Sequence, residues 1–194
     1  RLPDGILGPI KNKPVQLASG TIISPSSTEE FRRGADSKRV EVWQAHLELS
    51  TDGGQAWTKV GPLADPGKAN VIQPTVLAHD DGRLQILCRS QVGRIQEAWS
   101  SDQGRTWSAI VPTELPNPDS GIDAVRLRDG RFLLVYNHSK ENGLDRRVLN
   151  VAVSSDGRRW EAALVLENQR GEFSYPAVIQ TADGLVHATY TWKR

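Results

Sequence analysis

The chain has 194 residues, 38% hydrophobic and 24% charged, which suits one domain with a real core and excludes a disordered chain. Its 24 basic and 23 acidic residues leave a net charge of +1, so charge gives no reason to expect a nucleic-acid partner. No apolar run approaches the roughly 20 residues of a membrane-spanning helix, and the single cysteine, Cys88, excludes an internal disulfide and a thiolate metal cluster.

In chain order, the first feature is Lys11-Asn12-Lys13-Pro14, followed by a hairpin turn at Ala18-Ser19-Gly20. The polar stretch Ser27 to Lys38 has no helical or strand period and is read as a loop. An alternating run, Val42 to Leu49, then leads into Ser50-Thr51-Asp52-Gly53-Gly54-Gln55-Ala56-Trp57. The same order recurs twice. Val71-Ile72-Gln73-Pro74 precedes the turn Asp80-Asp81-Gly82, and Ser100-Ser101-Asp102-Gln103-Gly104-Arg105-Thr106-Trp107 closes that repeat. Gly121-Ile122-Asp123-Ala124 precedes Arg128-Asp129-Gly130, and Ser154-Ser155-Asp156-Gly157-Arg158-Arg159-Trp160 closes the next. Last come Phe173-Ser174-Tyr175-Pro176 and the turn Ala182-Asp183-Gly184.

The boxes have a physical reason. Asp accepts backbone N–H groups across a tight turn, Gly supplies a positive φ, and Trp packs on the returning hairpin. Asp-Gly between apolar runs marks a second kind of hairpin. Each repeat is therefore a hairpin turned by Asp-Gly followed by a hairpin turned by a box. Four antiparallel strands in about 50 residues make a propeller blade. The expected fold is all-β: a β-propeller of four-stranded antiparallel blades, with three whole blades and the first hairpin of a fourth in residues 1–194. A six-bladed ring at this spacing needs roughly 300 residues or more, so further blades are expected, mostly before Arg1.

Loops at one end of a propeller usually build its site. Aligning the repeats on the residue before each inner strand makes Lys13, Gln73, Asp123 and Tyr175 equivalent, three of them before proline. The returning strands bring Arg89, then Asn137 and His138, to the same end, and His46, Gln96 and Asn150 precede the boxes. This predicts a polar ring with Lys13, Arg89 and Lys193 as cations, suited to an anionic sugar whose carboxylate an arginine can grip. No His/Asp/Glu cluster has metal-ligand spacing, so neither metal nor other cofactor is expected.

These motifs, with Gly8-Pro9-Ile10-Lys11-Asn12-Lys13-Pro14 and Ser120-Gly121-Ile122-Asp123-Ala124, resemble the sialidase superfamily, whose propellers carry Asp boxes (BNR repeats). The resemblance implies a six-bladed sialidase-type propeller acting on terminal, anionic sugars of glycans. Sialidases use a tyrosine nucleophile polarised by a glutamate, an aspartate acid/base and three arginines on the substrate carboxylate. It implies Tyr175 as nucleophile and Arg89 as the second arginine, and it puts Gln73 where the glutamate would stand. Gln cannot take the phenolic proton, so Asp123 is a candidate base for Tyr175 or the acid/base itself. Lys13, Gln73, Lys11, Asn137 and His46 are candidate substrate-binding residues beside Arg89. The third arginine usually lies just before the last box, where this strand reads Val151-Ala152-Val153, with Arg146 and Arg147 only at its start.

Plainer readings stand beside these. Read structurally, Tyr175 is a strand tyrosine with a satisfied hydroxyl, Arg89 one half of an inter-blade salt bridge, and Asp123 a turn cap. The propeller could also bind glycans without cleaving them, or act on uronic-acid glycans. Bacterial relatives of this kind are commonly exported, so an extracellular or periplasmic location is an expectation that the chain itself does not fix.

Overall fold

The computed structural model describes residues 2–33, 38–65, 68–140 and 145–193. Every regular element among them is a strand, as the all-β expectation required. Among them, no helix is long and apolar enough to cross a membrane.

Each repeat forms one antiparallel unit. The first holds β1 (Val15–Gln16), β2 (Ile22–Arg33), β3 (Arg39–Ser50) and β4 (Thr58–Val60). The second holds β5 (Val71–Ala78), β6 (Leu84–Ser90), β7 (Arg94–Ser100) and β8 (Val111–Pro116). The third holds β9 (Asp123–Arg126), β10 (Phe132–Asn137), β11 (Val148–Ser154) and β12 (Glu161–Asn168). The hairpin β13 (Phe173–Gln180) and β14 (Val186–Trp192) follows. One parallel pair, Gln44 with Val71, joins the first unit to the second.

One expectation is corrected. Ser27 to Arg33 is strand, not loop: β2 runs on to Arg33 and pairs with β3 as far as Arg33–Arg39. Residues 34–37 of the expected loop lie outside the described residues, and Lys38 belongs to no strand. A polar segment can be a strand when a partner strand satisfies its backbone, because exposed side chains need no apolar period. Phe31, exposed here, is covered by the Arg39 guanidinium 3.6 Å from its ring centre.

Side-chain alternation explains how the units stack. β6 is buried on both faces. Leu84, Ile86 and Cys88 point into a core shared with Ile23, Leu47 and Val76, while Leu87 joins Leu77, Phe132 and Leu134 on the other side. A third core, with Val135, Leu149, Phe173 and Val178, lies between the third unit and β13–β14. Cys88 is fully buried, and burial pushes its thiol pKa up.

The boxes fold as the sequence predicts. In the second, the Gly104 N–H donates to Ser100 Oγ at 2.9 Å, the Thr106 N–H to Asp102 at 2.9 Å, and Trp107 Nε1 to the Gly104 carbonyl at 2.9 Å. The third box is shorter between Asp and Gly, and Trp160 Nε1 still reaches the Gly157 carbonyl at 3.1 Å. Trp107 and Trp160 pack against the inter-unit cores. The box turns also join units: Gln85 Nε2 of the second unit donates to the Gly157 carbonyl of the third.

Candidate functional site

The strand registers define which residues are equivalent. The inner hairpins close at Gln16–Ile22, Ala78–Leu84, Arg126–Phe132 and Gln180–Val186. Three residues before each closing pair stand Lys13, Thr75, Asp123 and Ala177; five before stand Lys11, Gln73, Gly121 and Tyr175. The alignment of Lys13 and Asp123 with Gln73 and Tyr175 is thus corrected by two residues. Its cause is a register shift between Ile72 and Thr75 and another between Ser174 and Ala177. Gln73-Pro74 and Tyr175-Pro176 bulge out of the ladder, where proline has no N–H to lose.

Lys11, Gln73 and Tyr175 share a left-handed backbone, with φ of 68°, 54° and 52°. Such a conformation costs a non-glycine residue on the order of 1–3 kcal/mol and persists where the surroundings impose it. The three side chains converge on the fourth equivalent position, Gly121. A Cβ there would lie 3.2 Å from Lys11 Cε, 3.3 Å from Tyr175 Cδ1 and 3.4 Å from Gln73 Oε1. Glycine leaves the room that lets the ring close up.

Arg89 and Arg146 flank Tyr175, with guanidinium carbons 6.0 and 5.5 Å from its ring centre. Arg89 also stacks on Trp43 at 4.8 Å, donates to Asp119 at 2.9 Å and reaches Gln73 Oε1 at 3.4 Å. Arg146 donates to Glu172 at 2.9 Å and to the Asp119 carbonyl at 2.8 Å. Asp119 therefore ties the two arginines together. Among the described residues the Tyr175 hydroxyl has no hydrogen-bond partner.

One layer deeper, Lys13 donates to both oxygens of Asp123 at 2.8 Å. Thr75 Oγ1 and the Ala124 N–H also donate to Asp123 Oδ1, and the Val178 N–H donates to Oδ2. Asp123 is 2% exposed. A buried carboxylate with both oxygens taken by three other strands and segments is a clamp, not the open base that the sequence suggested. A cleft of about 290 Å³ opens beside it, lined by Lys11, Lys13, Asp123 and Val178 among others. A larger cleft, about 660 Å³, lies among the turns around Ser19, Gly82 and Gln103, and none of the converging residues lines it.

Other sequence candidates fall elsewhere. Asn137 is buried, and its amide donates to the Val148 and Phe173 carbonyls, so it fastens backbone. His46 is buried against Glu48 at 3.3 Å, and burial lowers its pKa. Glu48 in turn accepts the Leu7 and Gly8 N–H groups, fixing the segment that leads to Lys11. Neither residue joins the ring. Sequence reasoning missed Asp119 and Glu172 and left Arg146 outside the site. The loop signal Asn117-Pro118-Asp119-Ser120 directly before Gly121 could have drawn attention to Asp119. Among the described residues no group of His, Cys, Asp and Glu could hold a metal ion.

Comparison with known proteins agrees with this architecture. Residues 1–188 match the family model of the BNR repeat-like domain. The chain is 18% identical to the NanB sialidase of Streptococcus pneumoniae, with a TM-score of 0.69 over 91% of this chain and 26% of that one. It is 22% identical to the intramolecular trans-sialidase of Ruminococcus gnavus, solved with oseltamivir carboxylate, with a TM-score of 0.67 over 94% and 37%. A protein of unknown function from Dyadobacter fermentans is 21% identical, with a TM-score of 0.67 over 87% and 45%. The chain thus spans less than half the length of each, and the likeness is one of fold. No curated protein matches it. The chain belongs to the BNR repeat-like domain family and shares its all-β fold with sialidases.

Proposed function

We propose that the chain is part of a sialidase-like β-propeller, its units being blades, and that the Tyr175 end takes a terminal anionic sugar of a glycan. One observation carries this reading: a tyrosine in a left-handed bulge, its ring flanked by the Arg89 and Arg146 guanidinium groups. Two guanidinium groups beside one aromatic ring suit a carboxylate lying against a sugar, through charge-assisted hydrogen bonds and ring stacking.

On this reading Tyr175 is the nucleophile of a glycoside hydrolase. Tyrosine nucleophiles are a recognised exception to the two-carboxylate scheme. Gln73 orients Arg89 and would hydrogen-bond the sugar without taking a proton. Asp123 fixes the spacing of β5 and β13, through Thr75 and Val178, and of the segment that carries Lys13. Screening the intact protein on sialosides and on uronic-acid oligosaccharides tests the proposal. Cleavage by the wild type that is lost in Tyr175→Phe supports it, and unchanged cleavage in that variant refutes it.

A second reading, a glycan-binding propeller without turnover, is favoured by a single observation. Gln73 stands where the resemblance puts a glutamate, and no described carboxylate hydrogen-bonds the Tyr175 hydroxyl. That reading predicts sugar binding that survives Tyr175→Phe and is lost in Arg89→Ala.

A further inference from the structure

The charged groups around Tyr175 form three pairs and a remainder. Arg89 is matched by Asp119, Arg146 by Glu172 and Lys13 by Asp123. Lys11 pairs with no carboxylate among the described residues. Its amine donates instead to the carbonyl oxygens of Ile122 and Pro176, the latter at 2.6 Å. Those carbonyls belong to the residues that directly follow Gly121 and Tyr175, so one amine ties together two of the equivalent positions. A neutral amine has two hydrogens for two carbonyls, whereas an ammonium brings a third that needs an acceptor. Burial pulls the Lys11 pKa down to about 7, with repulsion from Lys13 and Arg89 adding to it and attraction from Asp123 opposing it.

We propose that Lys11 is the positioning residue of the Tyr175 site, and that an anionic group bound between Arg89 and Arg146 is taken up together with one proton on Lys11. The proposal rests on the anionic-sugar reading above and deepens it. Lys11 Cε and Gln73 Oε1 approach the same Gly121 position, and Gln73 Oε1 lies 3.4 Å from Arg89 Nη1. Arg89 already repels the Lys11 ammonium, so an anion held on Arg89 lies within electrostatic range of that amine. Its charge offsets the repulsion that disfavours the ammonium, and it completes a fourth pair. The proton comes from hydronium or a buffer acid, whose O–H bond breaks as the new N–H bond forms on the amine lone pair, and the donor leaves as water or buffer base.

The sign follows from linkage. If bound anion raises the Lys11 pKa, binding is tightest below the free value of about 7 and weakens as pH rises towards the bound value. The loss is roughly tenfold per pH unit between the two midpoints. The charged or titratable groups facing the amine are Lys13 on its own segment, Arg89 on β6, Asp123 on β9 and Tyr175 on β13. Substitution of Lys11 separates its proton from theirs.

The test is a pH titration of the intact protein carrying lysine labelled at Cε, followed by NMR without and with N-acetylneuraminate, and again with glucuronate. The expected result is one lysine signal, absent in Lys11→Met, that titrates near 7 in the free protein. Saturation with a bound acid should move its midpoint up by about one pH unit or more, and the move should vanish in Arg89→Ala. Lys11→Gln keeps an amide donor for the carbonyls and should bind the acid with an affinity flat across the same pH range. A Lys11 midpoint near 10.5 in the free protein, a midpoint unmoved by bound acid, or an unchanged pH dependence in Lys11→Gln each overturns the proposal. Failure of both acids to bind refutes the anionic-sugar reading itself, and the proton uptake falls with it.

Discussion

The two ends of the units use hydrogen bonds in opposite ways. At the box end the bonds that shape each turn are local, with Gln85 to Gly157 as a link between units: Ser100, Asp102, Gly104, Thr106 and Trp107 satisfy one another within four residues. The same solution appears at Ser50 and at Ser154. At the Tyr175 end the bonds are long-range. Lys11 reaches Pro176 across 165 positions, Lys13 reaches Asp123 across 110, and Asp123 reaches Val178 across 55. The box end repeats the same Ser, Asp and Trp bonds from unit to unit, with the third box one residue shorter, as a scaffold requires. The Tyr175 end differs at every unit, with Lys, Gln, Gly and Tyr at one level and Lys, Thr, Asp and Ala at the next, which suits the asymmetric ligand proposed for it.

Substitutions at each end test that contrast. The largest stability effect is expected at the core that both ends share. Leu87→Ala, fully buried between the second and third units, should cost about 2–5 kcal/mol in denaturant unfolding. Asp123→Asn should cost about 3 kcal/mol, because it leaves Lys13 facing a neutral group in a clamp that joins four segments. Lys13 is 32% exposed, which holds the loss to the low end of what a broken buried pair costs. This variant should also weaken glycan binding, since β13 and its Tyr175 lose their tie to β9. Ser100→Ala should cost about 1–2 kcal/mol, through the Gly104 N–H it leaves unpaired, and should leave glycan binding unchanged.

The smallest effect is one of pH. Backbone N–H groups hold Asp52 and Asp156 below the usual carboxylate range, and the Thr106 hydroxyl with its N–H holds Asp102 at about 2. A carboxylate with a depressed folded pKa contributes stability that is complete above its unfolded value. That stability is lost as pH falls through the folded value. Melting temperature should therefore fall below about pH 4 and continue to fall towards pH 2. Asp102→Asn should flatten part of that slope.

The same contrast explains what was legible in the sequence. The boxes and Asp-Gly turns could be read because the groups that satisfy them lie a few residues away. They were enough to find the all-β class and the four-stranded repeat. The ring of site residues was misregistered by two because Lys13-Pro14 imitates Gln73-Pro74 and Tyr175-Pro176. The true equivalence depends on where each ladder bulges, a property of strand pairing and not of the local residue string. Arg146, Asp119 and Glu172 were hidden for a related reason. Each sits in a connecting segment, or at the edge of one, and becomes part of the site only when three units stack. Ser27 to Arg33 was misjudged because its strand is specified by the partner β3 and not by apolar alternation.

Turnover of sialosides and uronic-acid oligosaccharides by the intact protein, measured side by side for Tyr175→Phe and Ser100→Ala, sets the two ends against each other. The account predicts that Tyr175→Phe keeps its melting temperature, since its hydroxyl has no described partner, yet loses cleavage by at least about 10³-fold. Ser100→Ala should melt earlier and cleave at the wild-type rate. Wild-type cleavage by Tyr175→Phe, or a comparable loss of cleavage in Ser100→Ala at a temperature where it is folded, would contradict the division between scaffold and site.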